Sequence, residues 1–176
     1  MKAAAAVFSA IGGCAIWLMC AGCGYHVAGK SNMLPETLHT IAVPAFGNAT
    51  IHNELAKYLA ESVTRELIAR TKYAVVADPK AADAVLYGSI ANVFANATTI
   101  DPNTGRATGS QITIQVQVRL VDKSGKVLYS RPNLELRDRY EVSTLPSQYF
   151  DESQVAYQRL SRNAAQTIVS GILENF

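Results

Sequence analysis

Cys23 is the residue whose position makes it a candidate for covalent chemistry. The chain starts with Met1-Lys2, continues through an almost wholly apolar run to Met19, and places Ala21-Gly22 directly before Cys23. This order of positive charge, apolar run and small residues is typical of a secretory signal. A cysteine straight after Ala-Gly further indicates a bacterial lipoprotein signal, in which the thiol is acylated. We therefore predict a signal peptide over residues 1–22 and lipidation of Cys23 as the first mature residue.

The signal departs from the usual lipoprotein pattern at one position. Lipoprotein signals carry leucine three residues before the cysteine, where this chain has Cys20, with Leu18 in a neighbouring register. The alternative interpretation is an uncleaved anchor helix. The apolar run is only marginal for that purpose, because spanning a bilayer takes about 20 apolar residues.

A basic segment is the second feature with chemical potential. Residues 106–139 hold seven basic and three acidic side chains, a net charge of +4, between flanks of net −1 (23–105) and −2 (140–176). A concentration of positive charge indicates an anion as partner. The alternative is that these are solvated side chains on exposed strands. The candidate anion ligands are Arg119, Lys123, Lys126, Arg131, Arg137 and Arg139.

Catalytic and cofactor motifs are absent from the sequence. His26, His39 and His52 are spaced thirteen residues apart with no carboxylate at ligand spacing, and no phosphate loop, dinucleotide fingerprint or nucleophile elbow occurs. After signal cleavage, Cys23 is the only cysteine, which leaves none for a zinc site. We therefore predict no enzyme activity, no metal and no cofactor. The near-balanced total charge of +2 also argues against nucleic-acid binding.

The segment 111–122 is the clearest strand, because apolar and polar residues alternate strictly along it. One face carries only Ile, Val and Leu. The other face is polar and mostly uncharged, and we predict that the protein's own helices do not cover it. This face carries Gln111, Thr113, Gln115 and Gln117, followed by Arg119.

The remaining segments supply the elements around that strand. The apolar stretch 37–46 predicts a first strand that ends at Pro44 or lies at a sheet edge. Residues 51–70 and 152–176 each show one apolar stripe at helical spacing. Extended stretches at 84–100 and 127–142 flank the central strand across strong turn signals, which predicts an antiparallel meander. Residues 73–77 indicate a short strand, and residues 143–151 predict a loop.

These elements predict an α+β fold. Two helices pack on one face of a mixed four-stranded sheet in the order β-α-β-β-β-α, because this arrangement buries both stripes and the apolar sheet face. In domain terms, the chain consists of the signal peptide (1–22), an N-terminal tether (23–36) and a single domain (37–176).

Several motifs resemble the lipopolysaccharide-assembly lipoprotein family, LptE. Cys23-Gly24-Tyr25 with Gly29 resembles the family's mature N-terminus, and residues 41–50, with the pattern apolar-Pro-x-Phe-x-Asn-x-Thr, resemble its first strand. Residues 53–67 resemble its first helix. The similarity covers essentially the whole mature chain, and its specific part is residues 23–67.

The resemblance implies a role as well as a fold of two helices on a four-stranded sheet. Members of the family sit as a plug inside the outer-membrane barrel LptD, support its assembly and bind lipopolysaccharide. It further implies a lipid-anchored outer-membrane protein on the periplasmic side, within the barrel. On this basis we predict that the uncharged polar strand face contacts the barrel and that the basic segment contacts lipopolysaccharide phosphates. The alternative is an accessory binding lipoprotein of another envelope secretion or transport machine.

Overall fold

The computed structural model describes residues 38–142 and 153–174. The predicted signal peptide 1–22, the lipidation site Cys23, the tether 23–36 and the predicted loop 143–151 lie outside these residues. The described part is α+β, as the sequence predicts. Its elements are β1 (Thr40–Ala42), β2 (Gly47–Asn48), α1 (Asn53–Arg70), β3 (Ala74–Val76), β4 (Ala84–Ile100), β5 (Ala107–Asp122), β6 (Val127–Glu141) and α2 (Ser153–Glu174).

The described residues form a mixed sheet of six strands, so the prediction of four strands was wrong. Its order is β3-β1-β4-β5-β6, and β2 also pairs with β4. The stretch expected to be one first strand is divided into β1 and β2, which pair in parallel with two successive parts of β4. β3 adds a further parallel strand next to β1. β3 lies where the sequence indicates a short strand, whereas a two-residue strand such as β2 is too short for its periodicity to be recognised.

Strands β4, β5 and β6 form the predicted antiparallel meander. At both turns an aspartate carboxylate accepts hydrogen bonds from the following residues and a glycine takes a positive φ. Asp101 accepts from the Asn103 N–H in the first turn, and Gly105 has a φ of 67°. In the second turn Asp122 accepts from the Ser124 N–H, and Gly125 has a φ of 86°. These side chains stabilise the tight turns that the sequence predicts.

The core lies between the sheet and the two described helices, which pack on the same sheet face. The alternating apolar residues of β5 are all buried in it, together with the leucine stripe of α1 and the alanine-rich stripe of α2. Small residues allow α2 to approach closely. At Gly171, an added Cβ would lie 2.5 Å from the hydroxyl oxygen of buried Tyr129 on β6.

Phe46, in the segment between β1 and β2, packs directly against β4. Its ring is buried and lies directly over Gly88 of β4. A Cβ at position 88 would stand 2.5 Å from two ring carbons, so only glycine allows this contact. The Phe of the motif apolar-Pro-x-Phe-x-Asn-x-Thr therefore has a packing role in the fold.

The Asn and Thr of the same motif form hydrogen bonds in the turn that precedes α1. The Asn48 side-chain oxygen accepts the Thr50 N–H at 2.9 Å, and the Thr50 hydroxyl accepts the His52 N–H at 3.2 Å. Nδ1 of His52 lies 3.1 Å from the hydroxyl of Tyr157 on α2. This network connects the sheet to the starts of both described helices.

Candidate interaction surfaces

The face of the sheet opposite the helices is the first candidate surface, and we call it the outer face. Both described helices pack on the other side, so the predicted polar residues of β5 lie on the face that these helices leave open. Gln117 is exposed there, while Gln111 and Gln115 are half-buried between the neighbouring strands. Cross-strand partners of this amide row on β4 are Asn96 for Gln111 and Asn92 for Gln115. The result is a flat surface rich in uncharged amides.

Thr113 differs from its neighbours on this face because it is only 9% exposed. Its cross-strand partners are Phe94 on β4 and Arg137 on β6, both much larger side chains. Large partners on either side shield a short side chain even where no helix covers it. Thr113 therefore offers little contact area of its own.

Two aromatic side chains on the outer face were not singled out from the sequence. Tyr87 and Phe94 are 42% and 43% exposed. The guanidinium of Arg119 lies 5.3 Å from the centre of the Tyr87 ring, within the range of a cation–π contact. The signal was present in the alternation of β4, but the bulge between Ile90 and Asn92 shifts the alternation and obscures the face.

The six basic candidates do not form one cluster. Lys123 and Lys126 lie in the turn between β5 and β6, whereas Arg137 and Arg139 pair with Thr113 and Gln111. Because a strand rises about 3.4 Å per residue, Gln111 and Lys123 are separated by about 40 Å along β5. Arg119 lies between these ends, and Arg131 is exposed at the irregularity that Pro132 marks in β6. The six basic residues come from one segment of the sequence, but they are distributed along the whole length of the sheet.

Arg137 and Arg139 have side-chain partners on the outer face. Glu135 accepts from the Arg137 Nε at 2.8 Å, and this hydrogen bond together with the charge of Arg137 lowers the pKa of Glu135. Arg139 lies 3.5 Å from the Gln111 side-chain oxygen, at the limit of a hydrogen bond. By register, the outer face carries Arg119, Arg137 and Arg139 against Glu135 and Glu141, a net charge of +1. The outer face is therefore much less basic than the segment's +4 suggested.

Lys123 is the turn cation with a structural partner. Its Nζ donates to Asp83 Oδ1 at 2.9 Å, while Asp83 Oδ2 accepts from the N–H groups of His39 and Thr40. The bond from Lys123, followed by those from His39 and Thr40, holds the pKa of Asp83 far below its usual range. Asp83 thus connects the starts of β1 and β4 to the turn between β5 and β6.

Arg159 on α2 forms a further ion pair, which the helical pattern alone did not reveal. Its Nε donates to Asp138 Oδ2 at 2.8 Å, and its terminal nitrogen donates to the Arg139 carbonyl at 2.9 Å. Asp138 points to the helix side of the sheet while its neighbours on β6 point outward. The pair fixes the start of α2 against β6 beside an open depression of about 400 Å³.

Neither metal ligation nor membrane spanning is indicated within residues 38–142 and 153–174. No group of three or more His, Cys, Asp or Glu side chains in this part is arranged to hold a metal ion. Neither described helix combines the length and apolar character needed to cross a bilayer.

Comparison with protein families decides the assignment. The family described as LptE, lipopolysaccharide-assembly, matches residues 38–172, which include every described strand and nearly all of α2. The chain belongs to the LptE family of lipopolysaccharide-assembly lipoproteins. A comparison with curated protein sequences gives no match.

Solved structures with the same fold include several lipoproteins at low sequence identity. The uncharacterized lipoprotein B of Nitrosomonas europaea is 17% identical with a TM-score of 0.54, over 86% of this chain and 96% of that chain. The rare lipoprotein B of Shewanella oneidensis is 16% identical with a TM-score of 0.50, over 78% and 96% of the two chains. A putative lipoprotein of Caulobacter crescentus is 18% identical with a TM-score of 0.50, over 75% and 88%. At these identities the similarity establishes the fold.

Proposed function

We propose that this LptE-family lipoprotein is the plug and partner of the LptD barrel and binds lipopolysaccharide during its assembly at the outer membrane. The family match over residues 38–172 carries the proposal. In this proposal the domain lies on the periplasmic side, within the barrel. It has an assembly role and no catalytic one.

The outer face supports the proposed contact with the barrel. Barrel interiors are polar, so a surface that enters one must be able to exchange water for hydrogen bonds with polar side chains. The amide row Gln111, Gln115 and Gln117 supplies both donors and acceptors, without the desolvation cost of a charged row. Thr113 lies within the same row but is shielded, so the flanking glutamines make the contact.

The lipid anchor follows from the signal peptide and Cys23. Acyl chains contribute about 0.8 kcal/mol per buried CH₂, and stable anchoring takes more than one chain. Gly24 follows the cysteine, which fits export to the outer membrane. The proposed anchor holds the domain near the barrel and raises its local concentration there.

A pull-down tests the choice of partner. The tagged, lipidated protein is purified from outer membranes, and the proteins that accompany it are identified by mass spectrometry. We expect LptD in an amount comparable to that of the tagged protein. Recovery of the subunits of another secretion or transport machine, without LptD, would support the alternative of an accessory lipoprotein.

Lipopolysaccharide binding is tested with two variants, each of which reverses the charge of three basic residues. One variant combines Lys123→Glu, Lys126→Glu and Arg131→Glu, and the other combines Arg119→Glu, Arg137→Glu and Arg139→Glu. Substitutions are combined because a single exposed charge contributes only about 0–1 kcal/mol. Binding is measured across a salt series, with circular dichroism as the control for folding. Unchanged affinity and salt dependence in both variants would mean that these side chains are only solvated.

A further inference from the structure

The free edge of β4 is unusual among the edges of this sheet. β1 and β2 pair with β4 only up to Ile90, where the Ala49 N–H donates to the Ile90 carbonyl at 3.0 Å. From residue 91 to residue 100, no described strand pairs with β4 on that side. All of these residues are exposed except Val93, which is half-buried. Among the described strands, this side of β4 is therefore unpaired for about ten residues, of which 92–97 keep an unbroken register with β5.

Between its register shifts at Ile90/Asn92 and Ala97/Thr99, this edge lacks the charges and prolines that normally prevent edge strands from pairing with other chains. Natural edges carry charges, prolines or bulges, or are very short. β4 runs for seventeen residues from Ala84 to Ile100 without one charged residue or proline. Its open part consists mostly of Ala, Asn and Thr together with Val93 and Phe94.

The opposite edge of the same sheet shows the contrast. β6 carries six charged residues and Pro132, with a register shift in the ladder beside it. The edge at β3 is only three residues long. Charges and a proline protect the β6 edge and short length protects the β3 edge, whereas residues 92–97 of β4 have none of these features.

Backbone groups of β4 are directed toward the open side. The Ile90 carbonyl faces β2, and the Val93 N–H donates to the Asn92 side chain at 3.1 Å. The register with β5 is unbroken from Asn92 to Ala97, so the alternation of an antiparallel ladder continues through Ala95 and Ala97. The N–H and C=O groups of these two alanines point away from β5.

We infer that this edge pairs, through its backbone, with an extended segment of the barrel partner. The inference rests on the proposed function. Backbone pairing supplies affinity without charged side chains, which suits an uncharged strand. On the outer face, Asn92, Phe94 and Asn96 are the cross-strand partners of Gln115, Thr113 and Gln111, so the edge borders the proposed barrel contact.

Other occupants fit the geometry less well. Leu38, where the described chain begins, lies near the start of β4, because β1 runs parallel to β4 and pairs with Ala84 and Val85. Val142, at the end of β6, is separated from this edge by both β5 and β4. A second copy added at the edge would extend the sheet but leave both outer faces open. One barrel partner can cover the face and the edge together.

Photo-crosslinking in cells tests the pairing. A crosslinking residue is placed in the full, lipidated chain at Ala97 on the open edge, at Gln115 on the outer face, or at Asn133 on the protected edge. We expect capture of LptD from Ala97 and Gln115 and none from Asn133, with the captured protein identified by mass spectrometry. Capture of LptD from Gln115 but not from Ala97 would overturn the inference and leave the proposed function standing.

Two other crosslinking results are also decisive. Capture of a second copy of this chain from Ala97 would assign the edge to self-association and overturn the inference. Failure to capture LptD from all three positions, with no LptD in the pull-down, would overturn the proposed function and the inference with it.

Substitutions on the edge provide a quantitative test. Ala95→Pro removes an N–H that points away from β5, so the ladder between β4 and β5 keeps its donors. We expect the affinity for the barrel to fall about fivefold or more, the effect of losing one typical net hydrogen bond. Ala97→Lys places a charge on the same edge and is also expected to lower the affinity for the barrel. Asn133→Lys, on the protected edge, is the matched control and should leave the affinity unchanged. Unchanged affinity in both edge variants, with unchanged thermal unfolding, would overturn the inference.

Discussion

Gly88→Ala is expected to destabilise the fold strongly for a change of one methyl group. The new Cβ would stand 2.5 Å from Cδ2 and Cζ of Phe46, whereas carbon atoms in contact lie about 3.5–4.0 Å apart. The ring must therefore move by an ångström or more within a close-packed core. Overpacking of this kind costs about 1–3 kcal/mol, and exposing a Phe side chain costs about 1.5–3 kcal/mol. We expect a loss of about 2–3 kcal/mol in the free energy of unfolding.

Urea denaturation followed by circular dichroism measures this loss, because the single tryptophan is Trp17 in the predicted signal peptide. In thermal unfolding, the same loss lowers Tm by about 4–12 °C for a domain of this size. Ser89→Ala, at the next position of β4, is the matched control, with an expected effect within about 0.5 kcal/mol.

A double-mutant cycle assigns the cause of the destabilisation. Phe46→Ala alone is expected to cost about 3–5 kcal/mol, because it removes a buried aromatic ring. With the ring absent, the Cβ at position 88 has space, so adding Gly88→Ala costs about 0.5 kcal/mol or less. The interaction energy is then about 2 kcal/mol. Additive effects of the two substitutions would refute the contact between ring and glycine as the reason.

Three further predictions concern the helix layer, the pH dependence and the anchor. Gly171→Ala is expected to cost about 1–3 kcal/mol in urea denaturation, because its Cβ would lie 2.5 Å from the Tyr129 hydroxyl, and Tyr129→Phe should recover part of that loss. The folded-state pKa of Asp83 is lowered, so its stabilisation is present above the unfolded pKa of about 4 and is lost as the pH falls below it. Asp83→Asn should therefore be less stable than the natural protein at pH 7, and urea titrations should show that gap narrowing below about pH 4; a constant gap would contradict this. Cys23→Ala should abolish acylation, seen as the loss of the acyl mass in mass spectrometry, and unchanged modification would exclude Cys23 as the site.

Long periodic segments were predictable from the sequence because their side-chain pattern is set by local geometry. β4 was predicted with its observed bounds, and both ends of α1 and the start of α2 lie within two residues of their predicted positions. The alternation of β5 correctly gave the buried face, since a register shift by one residue would have exposed every apolar side chain. β1 and β3 lie within stretches that the sequence indicated as strands, but the separation of β1 from β2 depends on pairing with residues more than forty positions away and carries no periodic signal.

The candidate surfaces were predictable only where they follow a single strand. The amide row lies along β5 and was identified from alternation. The shielding of Thr113 depends on Phe94 and Arg137, and the cross-strand register that brings them together is not visible in one strand's sequence. The basic segment was contiguous in sequence, but strands of fifteen and sixteen residues separate its charges in space. Asp83 gave no signal because its partners come from two distant segments.

The most direct test of the proposed role is a comparison of two crosslinking positions in cells. Gln115 lies on the outer face, and Lys57 lies exposed on α1, in the layer on the other side of the sheet. A photo-crosslinker at Gln115 should capture LptD several-fold more efficiently than one at Lys57, because the outer face is proposed to contact the barrel interior. Capture of LptD from Lys57 that equals or exceeds capture from Gln115 would contradict the proposed orientation of the plug.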